Sequence, residues 1–274
     1  MNRGAIVKKL LALIAAVAAV AAAAGVLAFF RERKAEREAQ HTRFRHQPKG
    51  IYERFLKRPL DCTLAAGSII VLSPVLLVLT VVGAVAMGGN PFFTQKRPGR
   101  DEKVFKLIKF RTMTNKKDAN GNLLPDDQRL TAYGKWLRAT SLDELPELFN
   151  ILRGDMSIIG PRPQLVRDMV FMTPEQRERH SVRQGLTGLA QCSGRNAMTW
   201  EAKLNYDLEY ISRITFLGDL KIIFTTAEKV LAKEGISEEG MATAMDFGDY
   251  LLAEGKIDQA TYDAGQQEAK RILG

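Results

Sequence analysis

Cysteine is nearly absent: Cys62 and Cys192 are the only two in 274 residues, too few for a disulfide framework or a thiolate metal site. Cys62 lies in an apolar run, and Cys192 reads as a passive thiol. Histidine is as scarce, and the wide spacing of His41, His46 and His180 excludes a zinc or haem constellation. A metal used by this chain must then be held by oxygen, which points to magnesium or a similar hard cation. Internal repeats are missing too, as is low-complexity sequence beyond one alanine-rich run. Charge is present but one-sided. The net charge is +9, and because residues 246–274 carry six acids against three bases, the remainder stands near +12. A basic body of this kind suits an acidic partner: nucleic acid, anionic lipid or a phosphorylated substrate.

Two long stretches lack charge altogether. Leu10 to Phe30 is 21 residues, enough at roughly 1.5 Å per residue to cross a hydrocarbon core of about 30 Å. It reads as a transmembrane anchor, the competing reading being a cleaved secretory signal peptide. Phe29, Phe30 and the run "RERK" fit an anchor's interface. Ten bases between Arg31 and Arg58, against three before the segment, leave the following domain in the cytoplasm.

Cys62 to Met87 is the second run, 26 residues with Ser73 and Pro74 at its centre. Proline removes a backbone donor and disfavours helical geometry before it, so each half spans only about 18 Å, too little to cross alone. The Ser73 hydroxyl can satisfy a carbonyl freed by Pro74, which makes a break tolerable at membrane depth. Both flanks are strongly basic, so both ends are expected in the cytoplasm, and a broken re-entrant helix over 60–88 is favoured over a kinked span. A buried soluble helix fits least, since Pro74 would disrupt it.

The rest divides into a polar linker at 31–50, a main domain at 51–245 and an acidic helical tail at 246–274. "FFTQKRPGR" ends in a turn signal and "KVFKLIKF" carries Lys103, Lys106 and Lys109 at spacings that fit a strand or a surface helix. A short β-hairpin is the expected form, and Asn115 to Asp127 reads as a loop rich in turn formers. Helices are expected at Leu130 to Arg138, from Ser141 onward, and in "PEQRERHSVR", where Thr173, Pro174 and Gln176 form a capping pattern. "WEAKLNYDLEYISR" and "FLGDLKIIFTTAEKVLAKEG" are amphipathic helices by spacing. Asp207 and Asp219 read as helix-surface charges, and the tail as a helical hairpin, either solvated or bound to a partner. The expected class is mostly α with a short β-hairpin (α+β), with a re-entrant membrane helix, interfacial amphipathic helices and an added N-terminal transmembrane helix.

Chemistry concentrates in "SLDELPELFNILRGDMSIIGPRP", residues 141–163. Taken alone, Ser141 with Glu144 three residues on is a capping box, and Asp143 in the first turn complements the helix dipole. Pro146 implies that the helix starts later than the box suggests, or kinks. The surroundings favour phosphate instead. Arg138 precedes the pair, Arg153 and Asp155 follow the helix, and Arg162 sits between two prolines that hold it rigid for bidentate contact with phosphate oxygens. Two carboxylates would repel phosphate unless a cation lies between them, and magnesium resolves that conflict. Either the carboxylates only hold the metal, or one of them attacks phosphorus.

Together with "KRPLDCTLAAGSIIVLSPVLL", "FTQKRPGRDEKVFKLIKFRTM", "GLTGLAQCSGRN" and "FLGDLKIIF", in this order, the stretch resembles the bacterial sugar transferase family. These are the monotopic polyprenyl-phosphate glycosyl-1-phosphate transferases, and the likeness runs from about Tyr52 to Glu239, closest to small members acting on UDP-linked bacillosamine-type sugars. The resemblance implies transfer of a sugar-1-phosphate from a UDP-sugar to polyprenyl phosphate (undecaprenyl phosphate), giving polyprenyl-diphosphate-sugar and UMP by a ping-pong route, the first membrane step of glycoconjugate assembly. It implies that Asp143 is the nucleophile, that Glu144 places magnesium with it, that Lys109, Arg111, Arg138 and Arg162 meet substrate phosphates, and that Arg195 meets the nucleotide. Ser73 and Pro74 match the family's helix break. The implied location is the bacterial inner membrane, with the catalytic domain facing the cytoplasm. The N-terminal anchor and the tail after Phe247 depart from the small members, and a protein partner for the tail and self-association stay open. The rival readings are a non-enzymatic scaffold that binds anionic lipid and a nucleic-acid binder. The carboxylate pair argues against the first, and the lack of any recognised nucleic-acid module against the second.

Overall fold

The computed structural model describes residues 46–194, 198–232 and 245–274. The expected N-terminal anchor and Arg195 lie outside the described residues. A π-helical turn, Tyr52–Leu56, leads into α1, Lys57–Met87. This helix runs on through Pro74, so the break expected at Ser73 and Pro74 does not interrupt it. The carbonyl of Ile70, four residues back and deprived of its usual donor, accepts a hydrogen bond from Ser73 Oγ at 2.8 Å. Only Asp61, Ala65, Leu79 and Gly83 are buried along α1. Ile70, Val71, Leu77, Val78, Val81 and Val85 point outward and are largely exposed. So long an apolar surface left bare by the protein calls for lipid. Gly88 closes the helix in the left-handed region at φ 63°.

The expected hairpin forms. β1, Phe92–Pro98, pairs antiparallel with β2, Val104–Phe110, and Phe92 stacks on Phe110 with ring centroids 5.3 Å apart. Short helices α2, Asp126–Arg129, and α3, Ala132–Ala139, follow. α4, Glu147–Arg153, then runs into β3, Met156–Ile159. After α5, Val166–Met169, the Thr173 and Gln176 capping box opens a short helix, α6, Pro174–Arg177, which gives way to a 3₁₀ turn, Glu178–Ser181. β4, Gln184–Thr187, pairs parallel with β3, a sheet that the sequence reading missed. The two strands meet backbone to backbone. A Cβ on Gly185 would lie 2.1 Å from the nitrogen of Gly160, so glycine is required at this crossing.

α7, Leu189–Ser193, and the two expected amphipathic helices, α8, Trp200–Ser212, and α9, Phe216–Leu231, complete the main body. Ile159, Tyr210, Ile211, Ile214 and Ile222 form the core between them, and a second core joins α1 to β2 and α4 through Ala65, Leu107, Leu148 and Ile151. Cys192 is buried against Ile222 and Thr226, as a passive thiol would be. The tail forms the expected helical hairpin, α10, Phe247–Ala253, and α11, Gln259–Leu273.

Two expectations are corrected here. Asp207 and Asp219 are not surface charges: both are 3% exposed. Asp207 pairs with Arg179 at 2.7 Å, and Asp219 accepts from Tyr52, Lys57 and Tyr210 at 2.6, 2.5 and 2.9 Å. Helical periodicity marks the face a carboxylate occupies but not a cation brought in from another element, and burial is tolerated only because the partner arrives.

Candidate functional site

Ser141 does not cap a helix. It takes the left-handed conformation at φ 55°, its side chain makes no capping bond, and Leu142–Glu144 form a 3₁₀ turn. The box expected from "SLDE" fails because Pro146 has no N–H to continue a helix from that start. α4 begins only at Glu147, and the side chain of Glu144 is turned elsewhere. A non-glycine residue at positive φ is costly and collects at functional sites. Here it swings the chain out of α3 so that Asp143 and Glu144 face the end of β2.

Lys109, at that end, donates to Glu144 Oε1 at 2.7 Å, and Arg162 Nη2 donates to the same oxygen at 2.7 Å. Burial alone would push the Glu144 carboxyl up, but Arg162 and Lys109 together hold it well below the usual carboxylate range. Glu144 is thus a fixed anion. Asp143 is different. Among the described residues it takes part in no hydrogen bond or ion pair, and burial, then the charge of Glu144, raises its pKa against the pull of Lys109, Arg138 and Arg162. The two neighbours have the same chemistry and opposite environments, the arrangement that separates roles in carboxylate pairs.

Arg138 sits beside them, with Nε donating to Thr112 Oγ1 at 3.1 Å. Arg162 is held from behind, because its carbonyl accepts from Arg179 at 2.6 Å and the carbonyl of Pro163 accepts from Arg97 at 3.1 Å. The structure therefore brings Lys109, Arg138, Asp143, Glu144 and Arg162 together. Arg111 is not tied to them: its backbone N–H bonds to Pro91, and its side chain enters none of the ion pairs among the described residues.

One residue escaped the sequence reading. Glu147, 3% exposed, lies 3.1 Å from Lys109 Nζ, and burial with the nearby Glu144 pushes its pKa from 4.5 up to about 7. The available signal was a third carboxylate three residues past Glu144, set between Pro146 and Leu148. Lys109, Glu147, Arg97 and Arg162 line one open cleft, a concave surface of the kind that small molecules occupy.

The shift at Glu147 has a testable sign. A raised folded-state value favours folding below pH 4.5, and that advantage is lost as pH rises through about 7. Glu147→Gln, which stays neutral, is expected to gain stability over the wild type between pH 5 and 8. Thermal unfolding in detergent with chelator checks this, and pH profiles that run parallel for the two proteins would show that Glu147 does not titrate in that window.

Among the described residues no three histidine, cysteine, aspartate or glutamate side chains cluster as a metal site. The pair supplies two hard carboxylates, and among the described residues both oxygens of Asp143 and Oε2 of Glu144 are uncommitted.

The family model described as bacterial sugar transferase matches residues 52–233. An uncharacterized sugar transferase of Bacillus subtilis, EpsL, is 45% identical over 192 residues, which cover 70% of this chain and 95% of that protein. The UDP-glucose:undecaprenyl-phosphate glucose-1-phosphate transferase of Klebsiella pneumoniae is 40% identical over 183 residues, 63% of this chain and 39% of its own. The undecaprenyl-phosphate galactose phosphotransferase of Salmonella typhimurium is 35% identical over 199 residues, 66% of this chain and 42% of its own. The chain thus spans nearly all of EpsL but less than half of the two longer relatives.

Proposed function

The chain belongs to the bacterial sugar transferase family, and on that premise we propose that it moves a sugar-1-phosphate from a UDP-sugar to a polyprenyl phosphate, with Asp143 as the nucleophile. The observation that carries this reading is the inequality of the pair: Glu144 is bound to two cations while Asp143 beside it is uncommitted. The donor's diphosphate meets Arg162, Lys109 and Arg138, whose charge draws electrons from phosphorus and stabilises the oxygens of the transition state. An Asp143 oxygen then bonds to the phosphorus that bears the sugar, the bond to the bridging oxygen breaks, and UMP leaves with that oxygen. An oxygen of the polyprenyl phosphate attacks the same phosphorus, and the Asp143 carboxylate leaves unchanged.

Asp143 and the free oxygen of Glu144 are the residues that would hold magnesium, a cation content with one or two carboxylates plus substrate oxygens and water. When bound, magnesium neutralises charge on the donor's phosphates.

The setting of α1 supports a monotopic enzyme on the cytoplasmic face of the inner membrane. Lys57 is bound to Asp219 and Arg58 to the carbonyls of Ile151 and Leu152, while toward the other end Tyr133 donates to the Leu79 carbonyl and Gly83 packs on Pro91. Drawn straight, Lys57 to Gly83 would extend about 39 Å, more than the hydrocarbon core. Both ends are nevertheless fastened to one body, which suits a helix that dips into one leaflet and returns. Single cysteines placed at Gly50 and Asn90 are expected to react with an impermeant maleimide from the same membrane face. Labelling from opposite faces would establish a span.

UMP release by the detergent-solubilised enzyme with magnesium, over a panel of UDP-sugars that includes glucose, galactose and bacillosamine-type donors, tests the reaction and identifies the sugar. A burst of about one UMP per enzyme without acceptor, turning to steady release on adding polyprenyl phosphate, is expected of a covalent intermediate. Release only with acceptor present would point to direct displacement and leave Asp143 as a metal ligand.

A further inference from the structure

The C-terminal hairpin is seated on the body by contacts specific to it. The ring of Phe171 fills the gap at Gly248 and Gly265, where a Cβ at either glycine would come within 2.4 Å of it, and Tyr262 stacks on it at 5.8 Å. Arg167 pairs with Asp246 at 2.6 Å and Asp249 at 2.9 Å. The backbone N–H of Phe247 donates to Asp168 at 2.9 Å, and Ala269 is buried against Val166 and Met169. A tail held this way is part of the folded body rather than a solvated appendage.

Its docking has a consequence at the cleft. Met245 and Asp246 line the same cleft as Lys109, Glu147 and Arg162, and Trp200 Nε1 fixes that rim by donating to the Met245 carbonyl at 3.1 Å. Asp246 uses Oδ2 on Arg167, and its Oδ1 accepts no hydrogen bond among the described residues. Arg97, which lines the same cleft, has a buried Nε with no hydrogen-bond partner among the described residues. The cleft therefore holds Lys109, Arg162 and an arginine with spare donor capacity beside the carboxylates of Glu147 and Asp168, and the tail adds the carboxylate acceptor of Asp246.

We propose that the tail is a specificity wall, in which Asp246 accepts a hydrogen bond from a hydroxyl or amide N–H on the sugar of the nucleotide-sugar. The proposal rests on the transfer reading above. A carboxylate repels phosphate, so the diphosphate belongs on the side of Lys109 and Arg162 and an uncharged donor-bearing group on the side of Asp246. The sugar is bonded directly to the reacting phosphoryl group and so falls within the same cleft, whereas the base lies one phosphate further away. A half-buried acceptor placed for a hydroxyl discriminates against donors that present none there.

The test compares Asp246→Asn with Asp249→Asn in the full-length enzyme. Both substitutions weaken the tie to Arg167, but only the first alters the cleft. For the best UDP-sugar, Asp246→Asn is expected to lower kcat/KM by about 10- to 100-fold, mainly through KM. Poorer donors should lose less, so that selectivity among epimeric and N-acetylated UDP-sugars flattens, while Asp249→Asn keeps the wild-type order. Equal behaviour of the two variants would mean that Asp246 only docks the tail. An equal loss for every donor, with UMP inhibition weakened in step, would place the contact on the base; either result overturns the proposal. Titration calorimetry with the same donors reads the wall independently of turnover, so failure of the wall and failure of the transfer reading are separate outcomes.

Discussion

Asp143→Asn should lower turnover by at least about 10⁴-fold and remove the acceptor-independent burst of UMP. Asparagine has nearly the same shape, but its amide is a far poorer nucleophile toward phosphorus. Unusually for an active-site carboxylate, the substitution breaks no hydrogen bond or ion pair among the described residues. It also relieves a negative charge that burial and Glu144 disfavour. Folding should therefore be unaffected or slightly improved, and membrane association unchanged. This combination separates the enzyme from a lipid-binding scaffold, for which the substitution would change nothing. A full burst of UMP from Asp143→Asn would exclude Asp143 as the nucleophile.

Asp207→Ala is expected to destabilise the protein by about 3–5 kcal/mol, the cost of leaving one member of a buried pair alone. Arg179 is fully buried, bonded through Nε and Nη2 to Asp207, and a guanidinium there cannot shed its charge. This pair also bears on the site, since Nη2 of Arg179 holds the carbonyl of Arg162 at 2.6 Å. Activity should thus fall in conditions where the protein remains folded, because the loop that aims Arg162 at Glu144 loses its support. Replacing both partners with apolar residues, as in Arg179→Met with Asp207→Leu, should recover part of the stability without the activity. Denaturant unfolding of the three variants measures this, and a cost below about 1 kcal/mol for Asp207→Ala would mean that the pair is not structurally coupled.

Local chemistry explains what could be read from residue order. Ser73 beside Pro74 predicted how the freed Ile70 carbonyl would be satisfied, because the relevant atoms are four residues apart. Thr173 with Pro174 and Gln176 predicted a capping box, and the turn signal closing "FFTQKRPGR" predicted the β1–β2 hairpin, for the same reason. Long uncharged runs and their basic flanks pointed to membrane. The motif series from Tyr52 onward pointed to a sugar transferase, and Lys109, Arg138, Asp143, Glu144 and Arg162 do assemble. The "SLDE" box shows the limit of such reading: a local signal was overruled by Pro146 and by cations from other elements.

What remained belonged to contacts across long separations. Asp207 and Asp219 occupy helix positions that look like solvent-facing charges, and they are buried because Arg179 and Lys57 come to meet them. β3 and β4 are four residues each and parallel, too short to leave a periodic trace, and their pairing depends on the close backbone approach of Gly160 and Gly185. The tail read equally well as solvated or as a docking arm, since only a ring supplied by Phe171 gives Gly248 and Gly265 their purpose. Sequence settled the two long amphipathic helices, the Thr173 cap, one long apolar helix and the chemical family, most of them governed by interactions within a few residues. The tertiary structure alone decided which carboxylate is paired, which is uncommitted and what walls the cleft, because those outcomes depend on burial and on charges brought from distant parts of the chain.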